Sequence, residues 1–118
     1  MVHLIETENT EVFALRVLGT LSEEDYNLLV PAMEAEIARH GKINLYWEMK
    51  DFEGWTPGGL WEDVSFDVQH VTSFNRIALV GAKTWEKWLT NLLKPFTSAD
   101  VKFYDYADRD EARAWVGL

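Results

Sequence analysis

Residues Ile43–Met49 alternate without exception: Ile43, Leu45, Trp47 and Met49 fall on one face, and Asn44, Tyr46 and Glu48 on the other. A period of two marks a strand whose two sides meet different surroundings. The crossover that follows, Asp51–Asp67, holds glycine, proline, two tryptophans and five carboxylates as it leads into a helix-like pattern. A strand that feeds such a crossover returns to a parallel neighbour, and connections of this kind are right-handed. Loops at the carboxyl ends of strands are also where open α/β sheets place function.

Strand and helix patterns keep taking turns along the chain. Met1–Thr7 and Glu11–Gly19 flank the polar turn Glu8-Asn9-Thr10 and read as a hairpin. Ser22, with Asp25 three residues on, opens a helix in capping-box fashion; Tyr26, Leu29, Val30, Met33 and Ile37 follow at helical spacing, and Gly41 stops it. Pro31 lies inside that pattern and removes a backbone donor, so a kink or break is expected there. After the loop Asp51–Gly59, the residues Leu60, Val64, Val68 and Val71 mark a helix face, and Asn75–Val80 is an apolar strand. Thr84 is expected to cap a helix carrying Trp85, Trp88, Leu89, Leu92 and Leu93, ending near Pro95. Val101–Tyr106 is the last strand, and Asp108 with Glu111 starts a last helix.

The order β-β-α-β-α-β-α-β-α predicts one α/β domain over residues 1–118. Its sheet is expected to be five-stranded and mixed, with the first strand antiparallel to the second and the others parallel to it. Glu48, Lys102 and Tyr104 point away from the apolar set. Helices are therefore expected mainly on one face, with the second face partly open.

Composition removes several functions. Hydrophobic residues make up 47% of 118, enough for a core without staples, and no cysteine is present for disulfides, thiolate metal sites or thiol catalysis. A formal net charge of −9 disfavours nucleic acid, whose binding needs cations to displace condensed counterions. No apolar run approaches the ~20 residues of a membrane span. The first residues carry no basic segment followed by a long apolar one, so no signal peptide is read and a cytoplasmic location is expected.

Catalytic signatures are missing from the sequence. The carboxylates Asp51, Glu53, Glu62, Asp63 and Asp67 have no histidine at a diagnostic spacing and read as a solvated acidic face. His3, His40 and His70 are scattered. No metal ligands, no catalytic residues and no cofactor are assigned, and a non-enzymatic role is expected, with a small enzyme of unknown reaction as the third choice.

What stands out is aromatic: six Trp, six Phe and four Tyr. Trp85, Trp88, Leu89 and Leu92 form a stripe at i, i+3, i+4 and i+7, beside Lys83, Lys87 and Lys94. Such a helix packs on a sheet, covers a pocket or lies at a membrane surface. In an α/β order the central crossover and the next one are neighbours. Trp55, Trp61, Phe66, Trp85, Trp88 and Leu92 are therefore the candidate lining of an apolar ligand site, the alternative being a satellite of the core.

The segments Leu21-Ser22-Glu23-Glu24-Asp25-Tyr26, Asp51-Phe52-Glu53-Gly54-Trp55-Thr56-Pro57, Leu60-Trp61-Glu62-Asp63, Arg76-Ile77-Ala78-Leu79-Val80-Gly81, Trp85-Glu86-Lys87-Trp88, Pro95-Phe96 and Glu111-Ala112-Arg113-Ala114-Trp115 carry a resemblance. Together they resemble the SpoIIAA-like family of small bacterial domains, related to STAS and Sec14-type lipid-binding folds. The resemblance spans nearly the whole chain and implies a STAS-type βα superhelix. It implies binding of a nonpolar small molecule or lipid, or else regulatory protein–protein contact in the manner of anti-sigma-factor antagonists. For the second role, Asp51, Gly54 and Thr56 are the regulatory loop, with Thr56 nearest to the phosphorylated position of partner-switching relatives. The Asp-Ser-Ser-Gly pattern of those relatives is absent, and before Pro57 a threonine also reads simply as a helix N-cap. Homodimerisation and peripheral membrane contact are further expectations of the aromatic surface.

Overall fold

The computed structural model describes residues 1–69, 72–86, 89, 91 and 98–118. Five strands form one sheet in the order β1-β2-β3-β4-β5: Val2–Ile5, Val12–Leu21, Ile43–Trp55, Phe74–Gly81 and Asp100–Asp105. β1 is antiparallel to β2, and β3, β4 and β5 each run parallel to the strand before. This is the expected mixed sheet. The helices α1 (Glu23–His40), α2 (Pro57–Gln69) and α3 (Arg109–Val116) follow β2, β3 and β5.

α1 begins as its sequence dictates. The Ser22 side chain accepts from the Asp25 N–H, and the Asp25 carboxylate accepts from the Ser22 N–H at 2.9 Å, a complete capping box. Burial alone would raise the Asp25 pKa. The Ser22 N–H and hydroxyl, with the N-terminal ammonium 3.4 Å away, outweigh it and hold the carboxyl below its usual range. Gly41 closes the helix with φ of 80°. Of the kink or break expected at Pro31, the break does not occur: α1 runs as one helix of 18 residues. Pro31 and the carbonyl-bearing Asn27 one turn earlier are both exposed, so water can serve the carbonyl that the proline leaves without a donor.

The two faces of the sheet differ in the size of their residues. On the α1/α2 side lie Leu15, Val17, Ile43, Leu45, Trp47, Met49, Ile77 and Leu79, packed against Tyr26, Leu29 and Met33 of α1. On the other side the small Ala14 and Ala78 let α3 approach, and Ala112 and Val116 are buried there. The helices thus lie mainly on one face, and the second face is covered by α3 over its middle and stays partly open at Arg16 and Lys102. Glu48, which points away from the apolar set as expected, is nonetheless 1% exposed. Its carboxylate accepts from the Tyr46 hydroxyl at 2.7 Å and is paired with Arg16. A charge buried this deeply survives only when paired and hydrogen-bonded. The pairing raises the Arg16 pKa, and burial pushes the Tyr46 phenol well above its ordinary value.

Two further expectations change locally. Thr84 lies inside a 3-10 turn, Lys83–Trp85, that starts from Ala82. Asp108 stands at the N-cap of α3 but makes no side-chain capping bond, because a 3-10 turn, Tyr106–Asp108, leads into the helix and its backbone is not extended. The expected helix end near Pro95 lies outside the described residues, as do His70 and Val71.

Candidate functional site: a cavity beneath the first two helices

The segment Asp51–Trp55, expected as loop, continues β3. Against β2 the register jumps: Leu18 pairs with Lys50, Gly19 with Phe52 and Thr20 with Gly54. Asp51 and Glu53 are thus extra residues, and Asp51 takes φ of 52°. A bulge shifts the two-residue alternation and re-aims the side chains beyond it. Here Phe52 and Trp55 are both brought to the α1/α2 side. Gly54, buried with φ of 118°, sits under Trp85, whose ring would be 3.5 Å from a Cβ there.

Three rings meet here, two from the bulged strand and Trp85 from the turn after β4. Phe52 meets Trp55 edge-on with centroids 4.9 Å apart, and Trp85 closes the group at 4.9 Å from Phe52 and 6.0 Å from Trp55. The Trp55 indole N–H donates to the Tyr26 hydroxyl at 2.8 Å, and Tyr26 donates to Asp63 at 2.7 Å. A strand end, α1 and α2 are joined by this chain of two bonds. Asp63 is 8% exposed, so it is not part of a solvated acidic face; its neighbour Glu62 is only half-buried.

Between the helices and the sheet lies a cavity of about 40 Å³. Its walls are mostly apolar and include Leu29, Trp47, Trp55 and Phe66, with Tyr26 and Asp63 on the polar side. Trp47 is 7% exposed, and its indole N–H has no acceptor among the described residues. Most buried N–H groups find a partner, so this one is an exception to be explained.

The expected site residues separate into groups. Trp55 and Phe66 line the cavity and Trp85 packs on Trp55. Trp61 does not join them: it is 70% exposed, on the outer side of α2. Trp88 and Leu92 lie outside the described residues. Asp51 is exposed at the bulge. Thr56 is the N-cap of α2, its hydroxyl accepting from the Gly59 N–H at 3.0 Å. It borders an open groove with Glu23 and Glu24, so a phosphate on it would meet like charge. From the sequence, Asp63 reads only as one carboxylate of an acidic face, and nothing marks Tyr26 or Trp47 for the site. Both the tyrosine and the tryptophan fall on apolar faces of their elements, where an aromatic ring needs no further role.

A model of the SpoIIAA-like family matches residues 12–117, and the chain belongs to that family. Among solved structures, it is similar to an uncharacterized protein of the DUF3478 family with a SpoIIAA-like fold from Shewanella loihica PV-4. The identity is 24%, the TM-score 0.76, and the alignment covers 98% of this chain and 92% of that one. That likeness shows the fold. Comparison with curated proteins gave no match. Among the described residues no helix is long and apolar enough to cross a membrane.

Proposed function

We propose that this domain is a non-enzymatic binding module that takes a small nonpolar molecule between α1, α2 and the sheet. The observation that carries this reading is the cavity itself: aromatic walls with a few polar groups, the usual form of a small-molecule site. In the conformation described, its volume has room for a few water-sized groups at about 10–15 Å³ each. A guest larger than that displaces a wall, so binding of a chain-like molecule includes movement of α1 against α2. Rings offer it large contact area at low side-chain entropy cost.

The rival reading is a regulatory domain that docks a protein partner, and the exposed Trp61 supports it. One experiment weighs the two. Hexane and 2-hexanone are titrated while tryptophan fluorescence is followed, on the wild type, Val30→Phe and Trp61→Ser. Val30 is half-buried on the cavity wall, and phenylalanine there fills it. Binding is expected in the wild type and Trp61→Ser and is expected to be lost in Val30→Phe while urea unfolding stays cooperative. Loss in Trp61→Ser alone, or no binding by the wild type, would move the reading to the surface of α2 and a protein partner.

A further inference from the structure

Resting on the reading of the cavity as a ligand site, we infer that its guest is an uncharged molecule carrying one hydrogen-bond acceptor oxygen, such as a ketone, aldehyde or ester, and that Trp47 is the residue that reads it. The Trp47 side chain is a wall of the cavity, more than nine-tenths buried, and its N–H is left without an acceptor among the described residues. An indole nitrogen is a donor and never an acceptor, so what it lacks is an oxygen or its equivalent. The other indole of the wall, Trp55, has its partner in Tyr26. The two tryptophans therefore differ in kind: one N–H holds the protein together, and the other is available to a guest.

The charge of the guest follows from the same walls. Among the described residues, no lysine, arginine or histidine lines the cavity, and Asp63 does. Among the described walls, a carboxylate head would be buried beside another carboxyl group and meet no counter-charge, which is strongly unfavourable. A neutral oxygen meets no such penalty. A polar group that is satisfied only when the right molecule is bound also gives selectivity, because a guest without the acceptor leaves a buried donor unpaired.

The test compares hexane, 2-hexanone and hexanoate on the wild type and on Trp47→Phe. Affinities come from fluorescence, and the Trp47 indole proton is followed by two-dimensional NMR. In the wild type the indole resonance is expected to move downfield with 2-hexanone and not with hexane. Trp47→Phe is expected to lower 2-hexanone affinity about 3–10-fold relative to its effect on hexane, the range of one net hydrogen bond. Hexanoate is expected to bind at least about tenfold more weakly than 2-hexanone, the least that an uncompensated buried charge costs. If hexane and the ketone bind but respond alike in both measurements, the acceptor is not read and this inference falls while the cavity reading stands. Hexanoate binding as tightly as the ketone overturns the neutral guest. If none of the three binds, the cavity reading falls and the inference with it. Should Trp47→Phe not fold, the wild-type indole resonance decides alone.

Discussion

At the scale of single residues, Tyr26 is the joint of the candidate site. Its hydroxyl accepts from Trp55 and donates to Asp63, so Tyr26→Phe removes one acceptor from the Trp55 N–H and one donor from a buried carboxylate at once. Losing a bond to a buried polar group costs about 1–3 kcal/mol, and the effects of neighbours in one chain of bonds overlap. Tyr26→Phe is expected to destabilise the domain by about 2–4 kcal/mol in urea unfolding. A loss below about 0.5 kcal/mol, the size of an ordinary surface substitution, would mean that the two bonds carry little. Asp25 gives a different signature, because its folded pKa is depressed below the unfolded value near about 4. Its contribution is fully present above the unfolded pKa and is lost as pH falls through the lower folded one. Asp25→Asn should therefore cost about 1 kcal/mol at pH 7, as the loss of a cap does. That difference should shrink as pH falls below about 4 and vanish once the wild-type carboxyl is protonated in both states. Paired denaturant titrations across that range measure it. A difference independent of pH would assign the effect to something other than the ionised cap.

Among the elements, the start of α2 is the most constrained. Thr56 caps it, Pro57 fills the first helical position, and the Thr56 N–H donates to Leu21 O at 2.8 Å, which ties the helix to the end of β2. The two glycines that follow are not equivalent. A Cβ on Gly59 would stand 2.4 Å from Leu21 O, a backbone atom that cannot turn aside. A Cβ on Gly58 would meet the Glu23 side chain at 3.2 Å, and that side chain is flexible. Gly59→Ala is expected to destabilise by about 1–3 kcal/mol, as overpacking does. Gly58→Ala should be neutral or stabilising by up to about 1 kcal/mol, from helix propensity. Thermal unfolding of the two variants checks the contrast, and equal effects would show that the close approach of α2 to β2 is not maintained in solution. The bulged end of β3 shows why the element boundary was misread. Asp51, Gly54 and Pro57 are turn-type residues, and nothing local says that Asp51–Trp55 pairs with Gly19–Leu21 across a shifted register.

At the scale of the whole molecule, most of the architecture was legible in the sequence. The alternation of Ile43–Met49, the Glu8-Asn9-Thr10 turn and the Ser22–Asp25 cap depend on residues a few positions apart. Local geometry then fixes strand, hairpin and helix start. The parallel order follows, since strands joined by helices have few other ways to pair. The place of the aromatic gathering was partly legible: Trp55, Phe66 and Trp85 do lie together or beside the cavity, whereas Trp61 faces out. Chemistry within the site was not. The sequence by itself marks Asp63 and Glu48 as charged residues among others in an acidic chain. The fold buries both, one under a tyrosine 37 positions away and the other beneath Arg16 and Tyr46. Whether a polar group can be buried depends on the partner that meets it. Arg16 on β2 and Tyr26 on α1 come from distant parts of the chain, whose meeting no short-range pattern records, and only Tyr46 is a local partner, two positions from Glu48. The Trp47 N–H, without an acceptor among the described residues, belongs to the same class. The period of its strand determined its place on the apolar face, and the described walls that tertiary packing set around it decided that no acceptor meets it there.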